Sequence, residues 1–307
     1  MKKTLYSVLL GLLLLSSISQ AGWQTIWNEP IGTAVVVHNQ VDDTTDIYAT
    51  TKDTGDIYHY MGTPNEWEKA GNPGRMFVST GENLVGITPV GNEVWRYSGS
   101  GERWNIIGSG FVAVYGGGGK LYATDLEGRM KEHRHDTTWA IISSPLSDPF
   151  MPTYVVSANN EGIVKLFRRD NERVSEYVTQ DNWRELYLSE PVDQVAAGGN
   201  YLWASDFAGG VWEFKWNEPA PSWQKIGQLD EKLRSLVADV VGRGGGLPRL
   251  YALSNDGSRL WKYSGTPEQW VEISIPEGGR LSDIHGGGGK LLAKRWARDT
   301  LVEYTSN

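Results

Sequence analysis

The 307-residue sequence contains no cysteine. That one absence excludes a disulfide, a lipid on an N-terminal cysteine and a thiol nucleophile, so the chain must stabilise itself by packing alone. Histidine is scarce too: His38, His59, His133, His135 and His285 are the whole set. Of these only His133 and His135 are close-set, on one face of a strand, and a solvated strand face with no metal is the expectation there. No serine stands in a G-x-S-x-G elbow. No pair of carboxylates stands apart as glycosidase chemistry requires, and no cofactor is implied. On these absences the chain is expected not to be an enzyme.

Long apolar runs are absent except at residues 5–15, which follow Lys2 and Lys3 and precede "SSISQA". Ser19 and Ala21 are small residues at the spacing signal peptidase favours, and the run falls short of the roughly 20 residues a membrane span needs. The expectation is a cleaved signal peptide at 1–21 and a single domain at 22–307. The protein would then be secreted, to the exterior or a periplasm, without membrane insertion after cleavage. Basic residues are also in deficit: without Lys2 and Lys3, 27 stand against 37 acidic residues, a formal charge of −10. A chain of that sign repels phosphates, which argues against nucleic acid as a partner.

What is abundant is tryptophan, with 14 residues, and glycine, with 37. They recur in order. "YMGTPNEW" (60–67), "YSGSGERW" (97–104) and "YSGTPEQW" (263–270) are copies of one turn, each preceded by two short alternating strands around a polar turn, as in "LYALSNDGSRLWKY". "YGGGGKLYAT" (115–124) and "HGGGGKLLAK" (285–294) repeat a further piece. Four glycines and a lysine suggest a phosphate cradle, but Lys120 and Lys290 are each followed by leucine and another strand. The motif demands Ser or Thr and a helix. The glycines therefore read as hairpin turns inside a repeat, where φ > 0 is needed.

The register gives b-strand starts at Ile47, Leu84, Leu121, Leu166, Tyr201, Leu250 and Leu291, at intervals of 37, 37, 45, 35, 49 and 41 residues. Each copy holds strands a, b and c and a d strand led by Trp67, Trp104, Trp139, Trp183, Trp223 or Trp270. The seventh copy ends without a d strand, and "GWQTIW" at 22–27 supplies it, Trp23 and Ile26 matching Trp104 and Ile107. Seven copies of about 40 residues predict an all-β, seven-bladed β-propeller of four-stranded antiparallel blades, closed by the N-terminal strand. An open β-solenoid is the alternative.

The assembled repeat, W-x-x-I, strand, Gly-rich turn, L-Y-A-T, G-x-I-Y, W, resembles the tectonin and tachylectin-type propeller repeats of secreted lectins, most clearly over 47–139 and 250–293. "RRDNERVSEY" and "WNEPAPSW" depart from it. "TKDTGDIY" (51–58) and, with its glycine displaced, "SNDGSRLW" (254–261) look like the Asp-box turn, whose carboxylate caps a turn away from any catalytic face. The resemblance implies carbohydrate binding, with glycans or glycoproteins as partners, and the repeat implies several weak inter-blade sites held on one ring. Sugars need aromatic faces and planar polar groups, which clefts between blades offer repeatedly. The candidates are the second aromatic of each c strand with its polar neighbour: Tyr58, Trp95 with Arg96, Trp212 with Glu213, and Trp261 with Lys262. Aromatics in such positions also serve to pack blade on blade. The alternative is a secreted scaffold binding a protein, with the irregular loops 143–151 and 240–249 as specificity elements.

Overall fold

The computed structural model describes residues 22–39, 43–145, 153–158, 163–216, 219–229, 231–239, 249–276 and 279–305. Residues 1–21, where a signal peptide is expected, lie outside them, as do most of the loops 143–151 and 240–249. The described strands form seven four-stranded antiparallel sheets, taken in chain order as blade 1 (31–71), blade 2 (76–109), blade 3 (111–143), blade 4 (153–185), blade 5 (192–228), blade 6 (233–273) and blade 7 (281–305 with 22–27). Neighbouring blades meet mainly through their a strands, and these contacts run from blade 1 to blade 7 and back to blade 1. The ring is closed.

Closure is made by Gly22–Trp27 pairing antiparallel with Leu301–Thr305, Trp23 opposite Tyr304. The predicted b-strand starts all fall inside observed b strands. Apolar side chains fill the spaces between blades: Ile26, Trp27, Leu292 and Leu301 of blade 7, for example, pack on Val36, Ile47 and Ala49 of blade 1.

Each blade's d-strand tryptophan does three things. Its ring packs on an aromatic of its own c strand, His133 in blade 3, with centroids 4.9–5.5 Å apart in all seven blades. Its indole N–H donates to the preceding blade: Trp67 to the Ile26 carbonyl, Trp104 to Ala70, Trp139 to Ile107, Trp223 to Leu186, Trp270 to Ile226, Trp23 to Ser274, and Trp183 to the Ser143 hydroxyl. In three blades its ring also covers the residue after that carbonyl. A Cβ on Gly71, Gly108 or Gly227 would lie 2.5, 2.5 or 2.2 Å from the next blade's tryptophan Nε1, so glycine follows the acceptor in those blades.

The tetraglycine runs divide in two. Gly118 and Gly119, like Gly288 and Gly289, have φ of 54–81°, the sign a two-residue I′ hairpin demands at both central positions. Gly116 and Gly117 belong to the a strand instead. They are glycine because a Cβ would meet the Ser79 carbonyl of blade 2 at 2.3 Å and the Val156 carbonyl of blade 4 at 2.8 Å. The reading of all four as turn is corrected by this crowding where a strands converge. No cradle remains open: Gly119 N–H donates to Thr80 and Gly289 N–H to Asp239, while Lys120 and Lys290 pair with Glu132 and Glu303.

The b–c turns carry the capping carboxylates. Asp256 caps its turn as the Asp-box reading requires, accepting from Ser258 N–H and Ser254 Oγ. In the turn at 51–58 it is Thr54, not Asp53, whose hydroxyl receives the Asp56 N–H. Asp125 and Asp206, outside the motif, each accept two turn N–H groups.

Candidate functional site

The c strands place the candidate residues alternately. The candidate aromatic, the first of its observed c strand, faces the preceding blade: Tyr58 packs edge-on against Trp27 of blade 7, and Trp261 lies with Ala196, Trp203 and Val211 of blade 5. The next residue faces the other way, because successive side chains on a strand point to opposite sides. Lys262 accordingly sits near Arg249 and Asp239, where burial, then the Arg249 charge, hold its ammonium below the usual lysine range. The pairing of each aromatic with its polar neighbour is therefore corrected: Trp95 and Arg96, Trp212 and Glu213, Trp261 and Lys262 look into different clefts.

Exposure separates the candidates further. Trp261 is 4% exposed and Glu213 5%, and Glu213 is engaged by Lys215. Trp212 donates to Asp206, a carboxylate already capping its turn. Tyr58 is half-buried in the blade 7–blade 1 core. Of the four candidate aromatics, Trp95 lines a cleft, a small one of about 270 Å³.

That cleft lies on the side of blade 2 facing blade 1. Phe77, Trp95 and Trp104 give it three aromatic walls, and the 72–74 linker closes it. Its polar atoms come from Asn72, Thr88 and Glu102. Glu102 is held 3.8 Å from Lys69 of blade 1, and Trp95 donates its indole N–H to Glu93 at 3.2 Å. The cleft exists because blade 2 departs from the repeat at one point. Where the b strands of blades 1, 3, 5, 6 and 7 carry Ala49, Ala123, Ala204, Ala252 and Ala293, blade 2 has Gly86. Phe77 lies over it, 2.7 Å from where a Cβ would stand. The sequence reading missed Phe77; the signal was "LVGI" in place of "LYAT".

His133 packs edge-on against Trp139 and its Nε2 meets the Asp136 carbonyl, while His135 is exposed. Among the described residues no three His, Cys, Asp or Glu side chains gather as a metal site would need.

The fold and this geometry define a class: a closed seven-bladed β-propeller with an aromatic inter-blade cleft. No protein-family model matches the chain, and no curated protein does. Solved structures do. A catalytically inactive virginiamycin B lyase from Staphylococcus aureus, with quinupristin, aligns at TM-score 0.66 and 11% identity over 94% of this chain and 100% of its own. YCF48 from Cyanidioschyzon merolae aligns at 0.62 and 13%, over 92% and 98%, and BBS1N in complex with ARL6DN at 0.64 and 11%, over 93% and 96%. These likenesses establish the fold. They also correct the expectation that the chain is not an enzyme: a lyase is built on the same ring along its full length, so neither the fold nor the lack of familiar motifs argues against catalysis.

Proposed function

We propose that this propeller is a secreted carbohydrate-binding protein of the tectonin and tachylectin type, with its sugar site in the cleft walled by Phe77, Trp95 and Trp104. The observation that carries the reading is the composition of that cleft. Aromatic planes offer stacking to the C–H face of a sugar ring, and Glu102, Asn72 and the Thr88 hydroxyl offer partners to its hydroxyls. A volume of about 270 Å³ is at the lower end for ligand pockets, which suits one sugar residue rather than a long chain. Export is part of the proposal: β pairing begins at Gly22 itself, so cleavage after Ala21 leaves the closing strand whole.

The proposal narrows the sequence-based expectation of several equivalent sites, because Trp261 is packed away and Tyr58 half so. A second reading, a scaffold for a protein partner, draws on Val90 and Leu126, 87% and 63% exposed on the b–c turns of blades 2 and 3, and on neighbours such as BBS1N, solved with ARL6DN, and YCF48, solved with D1 peptide. A glycan array with wild type and Trp95→Ala distinguishes the two. Selective binding competed by free sugar and lost in the folded variant is expected; a silent array beside capture of a protein through Val90 and Leu126 favours the scaffold.

A further inference from the structure

A second cleft, of about 510 Å³, opens at the end of the ring where the a strands of blades 4, 5 and 6 begin. In a chain with a large acidic excess this cleft is basic: Arg169, Lys232 and Arg234 line it against one carboxylate, Asp193. Lys232 is committed to Asp193 Oδ1 at 3.1 Å. Among the described residues neither arginine is neutralised. Arg169 donates only to the Val192 carbonyl and Arg234 to the Asn255 carbonyl, and among the described residues no carboxylate pairs with either.

Asp193 itself is unusual. Its side chain is 10% exposed, and while Oδ1 takes the lysine, Oδ2 is buried without a hydrogen-bond partner. An orphaned buried carboxylate oxygen is costly unless a donor completes it. Beside the cleft two exposed aromatics, Phe207 and Trp296 (41% and 51%), lie under the same cations, Lys232 and Arg234, each 4.7 Å from a ring centroid. Stacking of this kind holds a long cationic side chain in place while leaving its remaining N–H groups free.

A forked cation pair without a counter-charge, an acceptor without a donor, and flanking aromatic faces are together what an acidic sugar presents in reverse. We infer that this cleft binds a carboxylate-bearing sugar. Arg169 and Arg234 take the carboxylate through charge-assisted hydrogen bonds, and a ring hydroxyl donates to the Asp193 carboxylate where it lines the cleft. A sulfate, with more charge and no hydroxyl to donate, would set its oxygens against Asp193, and a phosphate would bring more negative charge to that carboxylate than an acidic sugar does. The inference takes its ligand class from the sugar-binding reading but differs from it in place and charge.

The test is NMR titration of the full chain with glucuronate, N-acetylneuraminate, glucose, acetate and inorganic phosphate. Glucuronate or N-acetylneuraminate should bind at least about tenfold more tightly than glucose, acetate or phosphate, and Arg169→Gln and Arg234→Gln should each weaken it by roughly tenfold or more. Asp193→Asn, which keeps the shape, should reduce discrimination between the acidic sugar and acetate. Circular dichroism of each variant checks the fold, and Arg169→Lys, retaining charge without the fork, should be intermediate. Absence of binding by both acidic sugars, equal binding of phosphate, or binding indifferent to both arginines would overturn the inference. The two readings fail separately: loss of neutral-sugar binding in Trp95→Ala concerns the blade 1–blade 2 cleft, and loss of acidic-sugar binding in Arg169→Gln concerns this one.

Discussion

At the scale of single residues, the ring is held by contacts that tolerate little change. The glycine after the acceptor carbonyl, at Gly71, Gly108 and Gly227, is the clearest case. In Gly227→Ala the new methyl meets the Trp270 indole at 2.2 Å, and the backbone on both sides belongs to paired strands, so neither partner yields cheaply. Overpacking of this kind costs about 1–3 kcal/mol, and denaturant unfolding should show it with the slope unchanged. Trp104→Phe tests the other half of the device. It keeps an aromatic against Tyr97 but leaves the Ala70 carbonyl without its donor, at a cost of about 1–3 kcal/mol. The candidate site obeys the same local logic. The tryptophan spacing was legible in the sequence because each copy repeats it, and so were the pairs Tyr97 with Trp104 and Tyr263 with Trp270. Phe77 was not, because what matters is its position over Gly86, a contact between two strands that no repeat position announces. Arg169, Asp193 and Arg234 were hidden for a related reason: Asp193 and Arg234 share one a-strand position but carry opposite charge, Arg169 lies on a b strand, and only the closed ring brings the three to one cleft.

Turns and strands form the next scale. The two tetraglycine runs look uniform in sequence but should respond to substitution unequally. Gly119 stands in open space at φ 80°, so Gly119→Asn, a residue that tolerates this region, should shift stability by no more than about 1 kcal/mol. Gly116→Ala places a methyl 2.3 Å from the Ser79 carbonyl and should cost several times as much; thermal melts of the two variants side by side measure the contrast. The b–c turns carry the acid sensitivity. Hydrogen bonds from the Ser258 N–H and hydroxyl and from Ser254 depress the Asp256 carboxyl to about 2, and the bond from Lys52 lowers that of Asp299. A carboxyl with a folded pKa below its unfolded one contributes stability that is fully present above about pH 4. That contribution fades as pH falls toward 2. Melting temperature should therefore drop over this window, and Asp256→Asn should flatten the drop.

For the molecule as a whole, closure is the property that matters, and the sequence announced it through Trp23 and Ile26 standing where a seventh d strand was missing. Lys52 of blade 1 and Asp299 of blade 7 pair across the same junction, as does Trp67 with the Ile26 carbonyl. Removing residues 22–28 strips blade 7 of its outer strand and blade 1 of the surface under Trp67. If these contacts are worth about 4 kcal/mol, the melting temperature should fall by roughly 10 °C in a chain of this size; an unchanged melt would deny the junction its role. The two halves of the closing pair are also the first and the last parts of the fold to be synthesised. Gly22–Trp27 leaves the ribosome some 280 residues before Leu301–Thr305, and until that partner emerges the ring stays open. The moment at which the protein resists proteases is thus set by its final residues, and a chain ending at residue 300 should be digested as readily as one lacking residues 22–28.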